Sequence, residues 1–216
     1  LISDNMTGSF ICRDGNEFEP VDLPLWRSGV SATFCPHDGQ TAYLIQGAMN
    51  VDTGGYEGIW ATYDQGHNWE KIYDMPTDTV ECQAPWGKNL LVVDPHSTRS
   101  NHLYFAHINK GLIRSTDGGQ TWNTIAFDGR PIKTLSAAKG PDNKTIIYAI
   151  LGSAGNYGVR NTIKGGELRR IEIEGESPFN INVYTEHAGD KVWDIEVNPD
   201  DWSKGFLIND MNTEGR

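Results

Sequence analysis

The chain has 216 residues, 38% of them hydrophobic, with 24 Gly, 10 Pro and 7 Trp. This is enough for a sizeable core, and it excludes collagen, coiled coil and simple disorder. Its 29 acidic and 18 basic residues give a formal net charge of −11, and no stretch approaches the ~20 apolar residues of a membrane-spanning helix. We therefore expect no nucleic-acid partner and no membrane partner.

A polar turn recurs along the chain about every 50 residues, at 13–18, 62–69 and 115–122. The second and third copies read Thr-Tyr-Asp-Gln-Gly-His-Asn-Trp and Ser-Thr-Asp-Gly-Gly-Gln-Thr-Trp, whereas the first is looser and has Phe18 in place of Trp. Short apolar or alternating runs precede and follow the second and third copies. This pattern predicts a β-hairpin with a tight turn.

The residue types of this turn predict a structural role. An aspartate accepts hydrogen bonds from turn N–H groups, glycine supplies a positive φ, and the hydroxyl residue adds a second local bond. We therefore expect Asp64 and Asp117 to stabilise turns rather than touch a substrate. We also expect the indoles in strand or turn positions to belong to the core: Trp60, Trp69, Trp122 and Trp193.

A second element recurs between these turns. At 33–36, 92–95 and 196–199 an apolar strand ends at a proline, and a polar turn and another strand follow. Proline cannot sit inside a hydrogen-bonded ladder, so it marks the strand end. A fourth copy runs through 133–136 and 145–150, but its later turn at 161–167 lacks Asp and Trp.

Together the two elements make four antiparallel strands in about 50 residues, the size of a propeller blade. We therefore predict an all-β fold, a β-propeller of four-stranded antiparallel blades. The predicted blades are 1–26 (partial), 27–76, 77–129, 130–187 and 188–216 (partial). Because 1–8 aligns with 207–215, we expect the chain to be one portion of a larger propeller.

The turns resemble those of the Asp-box, or bacterial neuraminidase repeat, propellers. The order of several segments along residues 1 to about 130 is most similar to that of the family 74 glycoside hydrolases, the xyloglucanases. These segments are 1–8, 25–26, 58–69, 87–95 and 111–122. The resemblance implies a secreted, polysaccharide-degrading hydrolase of the endo-β-1,4-glucanase or xyloglucanase type, inverting, in an extracellular or periplasmic location.

By this resemblance Asp4 corresponds to one of two catalytic carboxylates and would act as the base. Asn5, Met6 and Thr7 replace the family's Val-Gly-Gly. In the family the acid normally comes from a second propeller domain. Within this chain the alternative is Asp210, which occupies the same position of the blade repeat as Asp4. In the alternative, structural role, the carboxylate of Asp4 accepts hydrogen bonds from neighbouring backbone groups.

Sugar rings stack on aromatic faces, and their hydroxyl groups need amide or carboxylate partners. Long loops at 46–56, 81–86 and 152–158 are suitable sites. The predicted substrate-binding residues, for which loop packing is the alternative role, are Trp26, Asn50, Tyr56, Trp86 and Tyr157.

Nothing in the sequence indicates a metal or a cofactor. Cys12, Cys35 and Cys82 are widely spaced, and the six His residues lack metal-ligand spacing,. No phosphate-binding or dinucleotide-binding pattern occurs. The expected partners are a polysaccharide or oligosaccharide and a second propeller domain or chain that completes the cleft.

Two other functions stay open. A non-catalytic binding propeller, like the sortilin-type receptors or photosystem assembly factors, would expose an apolar patch. A sialidase or propeller lyase is less compatible with the sequence. Residues 129–132 read Gly-Arg-Pro-Ile, which has the Arg, Pro and Ile of the sialidase Phe-Arg-Ile-Pro segment in another order. An acidic chain also suits an anionic substrate poorly.

Overall fold

The computed structural model describes residues 2–4, 8–21, 23, 28–47, 56–74, 89–107, 110–152, 166–175, 180–187 and 192–209. Within these ranges the chain forms β-strands and two single-turn 3-10 helices, Ser97–Arg99 and Pro141–Asn143. In this part of the chain no helix is long and apolar enough to cross a bilayer.

The described strands form five antiparallel sheets that follow one another along the chain. Sheet 1 contains β1 (Ile2–Asp4), β2 (Gly8–Ile11) and β3 (Glu19–Pro20). Sheet 2 contains β4 (Ser28–Phe34), β5 (Ala42–Gly47), β6 (Tyr56–Thr62) and β7 (Glu70–Asp74). Sheet 3 contains β8 (Leu91–Val93), β9 (Leu103–His107), β10 (Gly111–Ser115) and β11 (Asn123–Ala126).

Sheet 4 contains β12 (Ile132–Lys139), β13 (Thr145–Leu151), β14 (Glu167–Glu174) and β15 (Asn180–His187). Sheet 5 contains β16 (Val192–Asn198) and β17 (Asp201–Asn209). In every sheet each strand pairs with the next strand in the sequence. Each sheet is therefore a simple meander. A proline follows within two residues of the end of β4, β8, β12 and β16, as expected because proline cannot continue a hydrogen-bonded ladder.

The middle strands of the complete sheets are apolar because sheets cover both of their faces. All five residues of β9 are buried, whereas β11, at the outer edge of the same sheet, is half-buried or exposed. A strand covered on both faces by neighbouring sheets has buried side chains on both faces. Its sequence is therefore apolar throughout instead of alternating between apolar and polar residues. The core therefore lies between consecutive sheets.

The first strands of neighbouring sheets lie side by side. The N–H of Leu90 donates to Ser31 Oγ of β4 at 3.3 Å, and the N–H of Leu135 donates to the carbonyl of Asn89 at 2.7 Å. The N–H of Val197 donates to Ser136 Oγ at 3.0 Å. These bonds place β4, β8, β12 and β16 innermost, with the later strands of each sheet farther out. The predicted all-β propeller architecture is confirmed.

Candidate functional site

The connections between strands alternate between two ends of each sheet. In sheets 2, 3 and 4 the first-to-second and third-to-fourth connections share one end, where the N–H of Gln65 donates to the carbonyl of Gln40 at 2.9 Å. Likewise, the N–H of Gly118 donates to the carbonyl of Asn101 at 3.0 Å. We call this end the turn end, and the opposite end the loop end.

The turn between β6 and β7 is held by its own side chains. Asp64 Oδ1 accepts from Thr62 Oγ1 at 2.8 Å and from the N–H of Asn68 at 2.9 Å. Thr62 Oγ1 accepts from the N–H of Gly66 at 2.8 Å, and the indole N–H of Trp69 donates to the Gly66 carbonyl at 3.1 Å. These bonds satisfy the turn backbone with partners no more than four residues apart.

The turn between β10 and β11 repeats this arrangement. Asp117 Oδ1 accepts from Ser115 Oγ at 2.7 Å and from the N–H of Thr121 at 2.9 Å. Ser115 Oγ accepts from the N–H of Gly119 at 2.8 Å, and the Trp122 indole donates to the Gly119 carbonyl at 2.9 Å. The hydrogen bonding expected of Asp64 and Asp117 from the sequence is thus present in both turns.

The first copy of the turn, between β2 and β3, departs from the other two. Asp14 accepts from the N–H of Asn16 at 2.9 Å, but Cys12 stands where the others have a hydroxyl residue. Phe18, which replaces the tryptophan but follows its aspartate by four residues instead of five, is 54% exposed. The phenyl ring has no N–H to donate to a turn carbonyl, so nothing corresponds to the indole bond that holds Trp69 and Trp122.

Hydrogen bonding keeps the turn aspartates ionised. The N–H and side-chain amide of Asn68 lower the pKa of Asp64 to about 2. Partial desolvation opposes the effect at Asp117, but the hydroxyl and N–H of Thr121 lower the pKa of that carboxyl to about 2. Both carboxylates are therefore ionised near neutral pH, and their hydrogen-bonding capacity is used within their own turns, which favours a structural role,.

A buried carboxylate at the turn end joins three sheets. Asp94, immediately after β8, has no exposed surface. Its Oδ2 accepts from Tyr104 Oη at 2.9 Å and from Thr145 Oγ1 of sheet 4 at 2.7 Å. Its backbone carbonyl lies 2.7 Å from His37 Nε2, which belongs to sheet 2. Arg99 Nε, also buried, is 3.5 Å from Asp94 Oδ1 and supplies the opposite charge.

Further contacts continue this network from sheet to sheet. His96 Nε2 is 2.9 Å from the carbonyl of Lys144, and Lys139 Nζ is 2.6 Å from Asp200 Oδ1. The guanidinium of Arg13 donates to the carbonyls of Gln65 and Gly66, both at 2.9 Å. The polar groups of the turn end therefore serve to connect the sheets, and the loop end is the candidate functional surface.

Two of the six predicted site residues, Asp4 and Tyr56, belong to described strands. Asp4 is the last residue of β1, opposite Gly8 in the register, and Tyr56 is the first residue of β6, opposite Gly47. Only the backbone of these two residues is described. The other four, Trp26, Asn50, Trp86 and Tyr157, lie outside the described residues. Their roles, and that of Asp210, which is also outside, remain predictions.

Three buried polar residues near the loop end were not selected from the sequence. Gln46 and Lys133 are each 2% exposed, and His107 is fully buried. His107 Nδ1 accepts from the N–H of Lys110 at 3.1 Å, and its ring meets those of Tyr73 and Phe105 edge-on. In the sequence each of the three is a polar residue within or at the end of an apolar strand. That pattern alone does not show whether the side chain is buried or exposed.

One carboxylate near the innermost strands has a raised pKa. Glu196 Oε2 of β16 accepts from Asn89 Nδ2 at 3.2 Å, although the two residues are 107 positions apart. Partial burial raises the pKa of Glu196, the charge of Asp194 adds to the effect, and the amide of Asn89 opposes it. Among the described residues, no group of three or more His, Cys, Asp or Glu side chains could hold a metal ion.

Comparisons with known proteins identify the fold. No protein-family profile and no curated protein matches the sequence significantly. The GH74 enzyme of Niastella koreensis is structurally similar over 82% of this chain and 24% of its own, with a TM-score of 0.54 and 16% identity. The GH74 xyloglucanase from Xanthomonas campestris is similar over 86% of this chain and 28% of its own, with a TM-score of 0.52 and 21% identity.

The chain thus spans about a quarter of the length of each of these two enzymes. At such identities the likeness establishes architecture, since one fold carries many functions. The four-stranded antiparallel sheets, their innermost first strands and these two structural matches together lead to one conclusion. The chain has the fold of a GH74-like β-propeller.

Proposed function

We propose that the protein is a polysaccharide-degrading glycoside hydrolase of the xyloglucanase type. The observation that supports it is the structural match to two GH74 enzymes over 82% and 86% of the chain. The loop end would bind the glucan, with sugar rings stacked on Trp26, Tyr56, Trp86 and Tyr157. Asn50 would hydrogen-bond to sugar hydroxyl groups.

In this proposal Asp4 is the catalytic base of an inverting reaction. It takes a proton from the water that attacks the anomeric carbon, while a protonated carboxyl group on the other face donates to the leaving oxygen. The two carboxyl groups of an inverting enzyme stand roughly 6.5–9.5 Å apart. A second propeller domain or chain would supply the acid and complete the cleft, with Asp210 as the alternative within this chain. The protein would work outside the cytoplasm.

The test compares the wild-type protein with an Asp4→Asn variant on xyloglucan, mixed-linkage glucan and sialyl-lactose. We expect reducing ends from xyloglucan with the wild type, and a loss of at least ~100-fold with the variant, since an amide cannot accept the proton. NMR of the first product should show the inverted anomer. An Asp142→Asn variant, at an exposed aspartate in the connection between β12 and β13 at the turn end, is the matched control and should retain full activity.

Equal product release by wild type and Asp4→Asn would remove Asp4 from the mechanism. Release of the retained anomer would exclude inversion. Cleavage of sialyl-lactose alone would replace the proposed substrate class with that of the sialidases.

A non-catalytic binding module is the second candidate, and one observation favours it. Phe206 and Ile208 of β17 are 82% and 55% exposed, and as alternate residues of one strand they share a face,. An exposed apolar patch of this kind is typical of protein interaction surfaces. Saturable binding of xyloglucan without release of reducing ends would support this candidate over the hydrolase.

A further inference from the structure

In the described part of the chain, three buried polar side-chain atoms of sheets 1 and 2 have no hydrogen-bond partner. They are Ser9 Oγ of β2, Gln46 Oε1 of β5 and Trp60 Nε1 of β6. The three residues are 5%, 2% and 8% exposed. A buried polar atom without a partner is unfavourable and rare in folded proteins, so three of them in neighbouring sheets require an explanation.

The glutamine and the tryptophan face sheet 1. Trp60 packs with Leu44 and with Leu23, which follows β3 of sheet 1. Gln46 lies two residues after Leu44 in β5, and alternate residues of a strand point to the same face. The unpaired acceptor of Gln46 and the unpaired donor of Trp60 are therefore on one face of sheet 2.

The serine faces sheet 2 from the other side. An added Cβ at Gly66, in the turn after β6, would lie 2.7 Å from Ile11 Cδ1, so the side chain of Ile11 in β2 is directed toward sheet 2. Ser9 lies two residues before Ile11 and shares its face. It pairs with Ser3, the residue before Asp4 in β1. Unpaired polar atoms of both sheets are thus turned toward one interface.

Gln46 and Ser9 lie at the loop end of this interface. Arg13, in the turn between β2 and β3, donates to the carbonyls of Gln65 and Gly66 at the turn end of sheet 2. The beginning of β2, with Ser9 at its second position, therefore lies toward the loop end. Gln46 is the last but one residue of β5, which ends there as well.

Gln46 has glycine on both sides within its sheet. In the register of sheet 2 it is opposite Gly29 of β4 and Gly58 of β6, and opposite residues share a face. Glycine is required at 58, because an added Cβ would lie 1.9 Å from the carbonyl oxygen of Tyr73. The two positions opposite Gln46 therefore offer it no side-chain partner, and glycine is the residue that lets a ligand approach the backbone closely.

An unpaired acceptor and an unpaired donor on one face suit a ligand with hydroxyl groups. A hydroxyl both donates and accepts, so the hydroxyls of a sugar can bond to the carboxamide oxygen of Gln46, the indole N–H of Trp60 and the hydroxyl of Ser9. A cation would leave the indole N–H unpaired, and an anion would leave the carboxamide oxygen unpaired.

We propose that Gln46 is a substrate-binding residue, whose carboxamide oxygen accepts a hydrogen bond from a hydroxyl group of the glycan between sheets 1 and 2 at the loop end. For the class of ligand this inference rests on the proposed function. Ser9 Oγ and Trp60 Nε1 are the partners for neighbouring hydroxyl groups. Because the oxygen of Gln46 gains its partner only in the complex, the residue lowers the stability of the free protein and raises its affinity for the sugar.

The test variant is Gln46→Met, which keeps the length of the side chain and removes its amide. It should melt at or above the wild-type temperature, because it removes a buried polar atom without a partner. On xyloglucan its KM should rise at least ~5-fold while kcat stays within about twofold, as expected when an interaction made equally in the ground state and the transition state is lost. Isothermal titration calorimetry with cellotetraose should show the same loss of affinity.

Thr134→Val is the matched control. Thr134 of β12, in sheet 4, has no exposed surface, and in the described structure its Oγ1 also has no hydrogen-bond partner. This variant should likewise melt at or above the wild-type temperature, but its KM and its affinity for cellotetraose should stay within about twofold of the wild type.

Ligands that lack a single hydroxyl group identify the bond itself. At least one monodeoxy analogue of methyl β-cellobioside should bind the wild type at least ~5-fold more weakly than the parent sugar does, yet bind Gln46→Met as well as the parent does. Such coupling shows that the missing hydroxyl and the carboxamide of Gln46 are partners.

The inference is overturned if Gln46→Met equals the wild type in KM and affinity, which would leave the unpaired oxygen to a buried water molecule. It is also overturned if no analogue shows the coupling, or if Gln46→Met melts well below the wild type.

Failure of the proposed function gives a different pattern. Hydrolysis of xyloglucan that Gln46→Met leaves unchanged keeps the proposed function and rejects this inference. Binding of cellotetraose that depends on Gln46, without hydrolysis, rejects the hydrolase and keeps the inference. Neither binding nor hydrolysis rejects both.

Discussion

The carboxylate of Asp94, at the end of β8, accepts a hydrogen bond from the hydroxyl of Thr145, the first residue of β13, at 2.7 Å. This bond joins sheet 3 to sheet 4. The same oxygen accepts from Tyr104 Oη, and both Asp94 and Thr145 have no exposed surface. A buried carboxylate needs such partners, because an unpaired charge away from water is strongly unfavourable.

Replacing Asp94 by alanine should lower the free energy of unfolding by about 3–5 kcal/mol, since it leaves the charge of Arg99 buried without its partner. Thr145→Val removes one hydrogen bond and should cost about 1–2 kcal/mol. Urea unfolding followed by tryptophan fluorescence measures both. Thr124→Val, on the exposed part of β11, is the control and should stay within ~0.5 kcal/mol of wild type. An Asp94→Ala variant as stable as this control would contradict the assigned role.

Ser115→Ala should destabilise the protein by about 1–2 kcal/mol, because the N–H of Gly119 and the carboxylate of Asp117 each lose a buried or half-buried partner,. Thr62→Ala should have an effect of similar size in the equivalent turn. Urea midpoints of the two variants, beside Thr124→Ala, provide the measurement. If only one of them shifts the midpoint, the two turns are not equivalent in energy.

Stability should fall between about pH 5 and pH 2 as the turn aspartates take up protons. The pKa of Asp64 and of Asp117 is about 2 in the folded chain, against an ordinary value of 3.8. A lowered pKa in the folded state contributes stability that is full above the ordinary value and is lost as the pH falls through the folded value. Urea unfolding in half-unit pH steps should show this slope.

The double variant Asp64→Asn and Asp117→Asn should lose part of that slope. Asp128→Asn, at an exposed aspartate, serves as the control and should retain it. An acid transition of unchanged steepness in the double variant would mean that these two carboxylates do not govern acid stability.

Two neighbouring glycines should respond differently to alanine. Gly119 has φ of +95°, and an added Cβ would lie 2.6 Å from Ile72 Cδ1 of β7, in the preceding sheet. Gly118 has φ of +73°, and an added Cβ would meet nothing within 4 Å. We expect roughly 2–4 kcal/mol of destabilisation for Gly119→Ala, from strain and crowding together. Gly118→Ala should cost only about 1 kcal/mol, from strain alone.

Thermal unfolding of the two variants should therefore show the larger shift for Gly119→Ala. The reverse order would mean that the packing of the turn against sheet 2 contributes little. Ile72→Val in the Gly119→Ala background should recover part of the loss, because it shortens the side chain that an added Cβ would meet.

The turns around Asp64 and Asp117 could be predicted because their bonds join residues at most four positions apart. The strand ends at prolines could be predicted for a similar reason, since the missing N–H is a property of the proline residue itself. Phe18 shows the limit of such patterns. It replaces the tryptophan of the repeat, yet it is exposed; its turn is one residue shorter than the other two and has Cys12 where they have a hydroxyl residue.

The amino-acid sequence alone determined the repeat, the meander of each sheet and the propeller class, since these depend on local hydrogen bonding and on short apolar runs. The tertiary structure decided which residues connect the sheets. Asp94 meets Thr145 across 51 positions, and Asn89 meets Glu196 across 107. It also decided that Phe206 is exposed whereas the middle strands are buried. Burial and long-range pairing depend on what the rest of the chain places nearby, and no local pattern encodes that information.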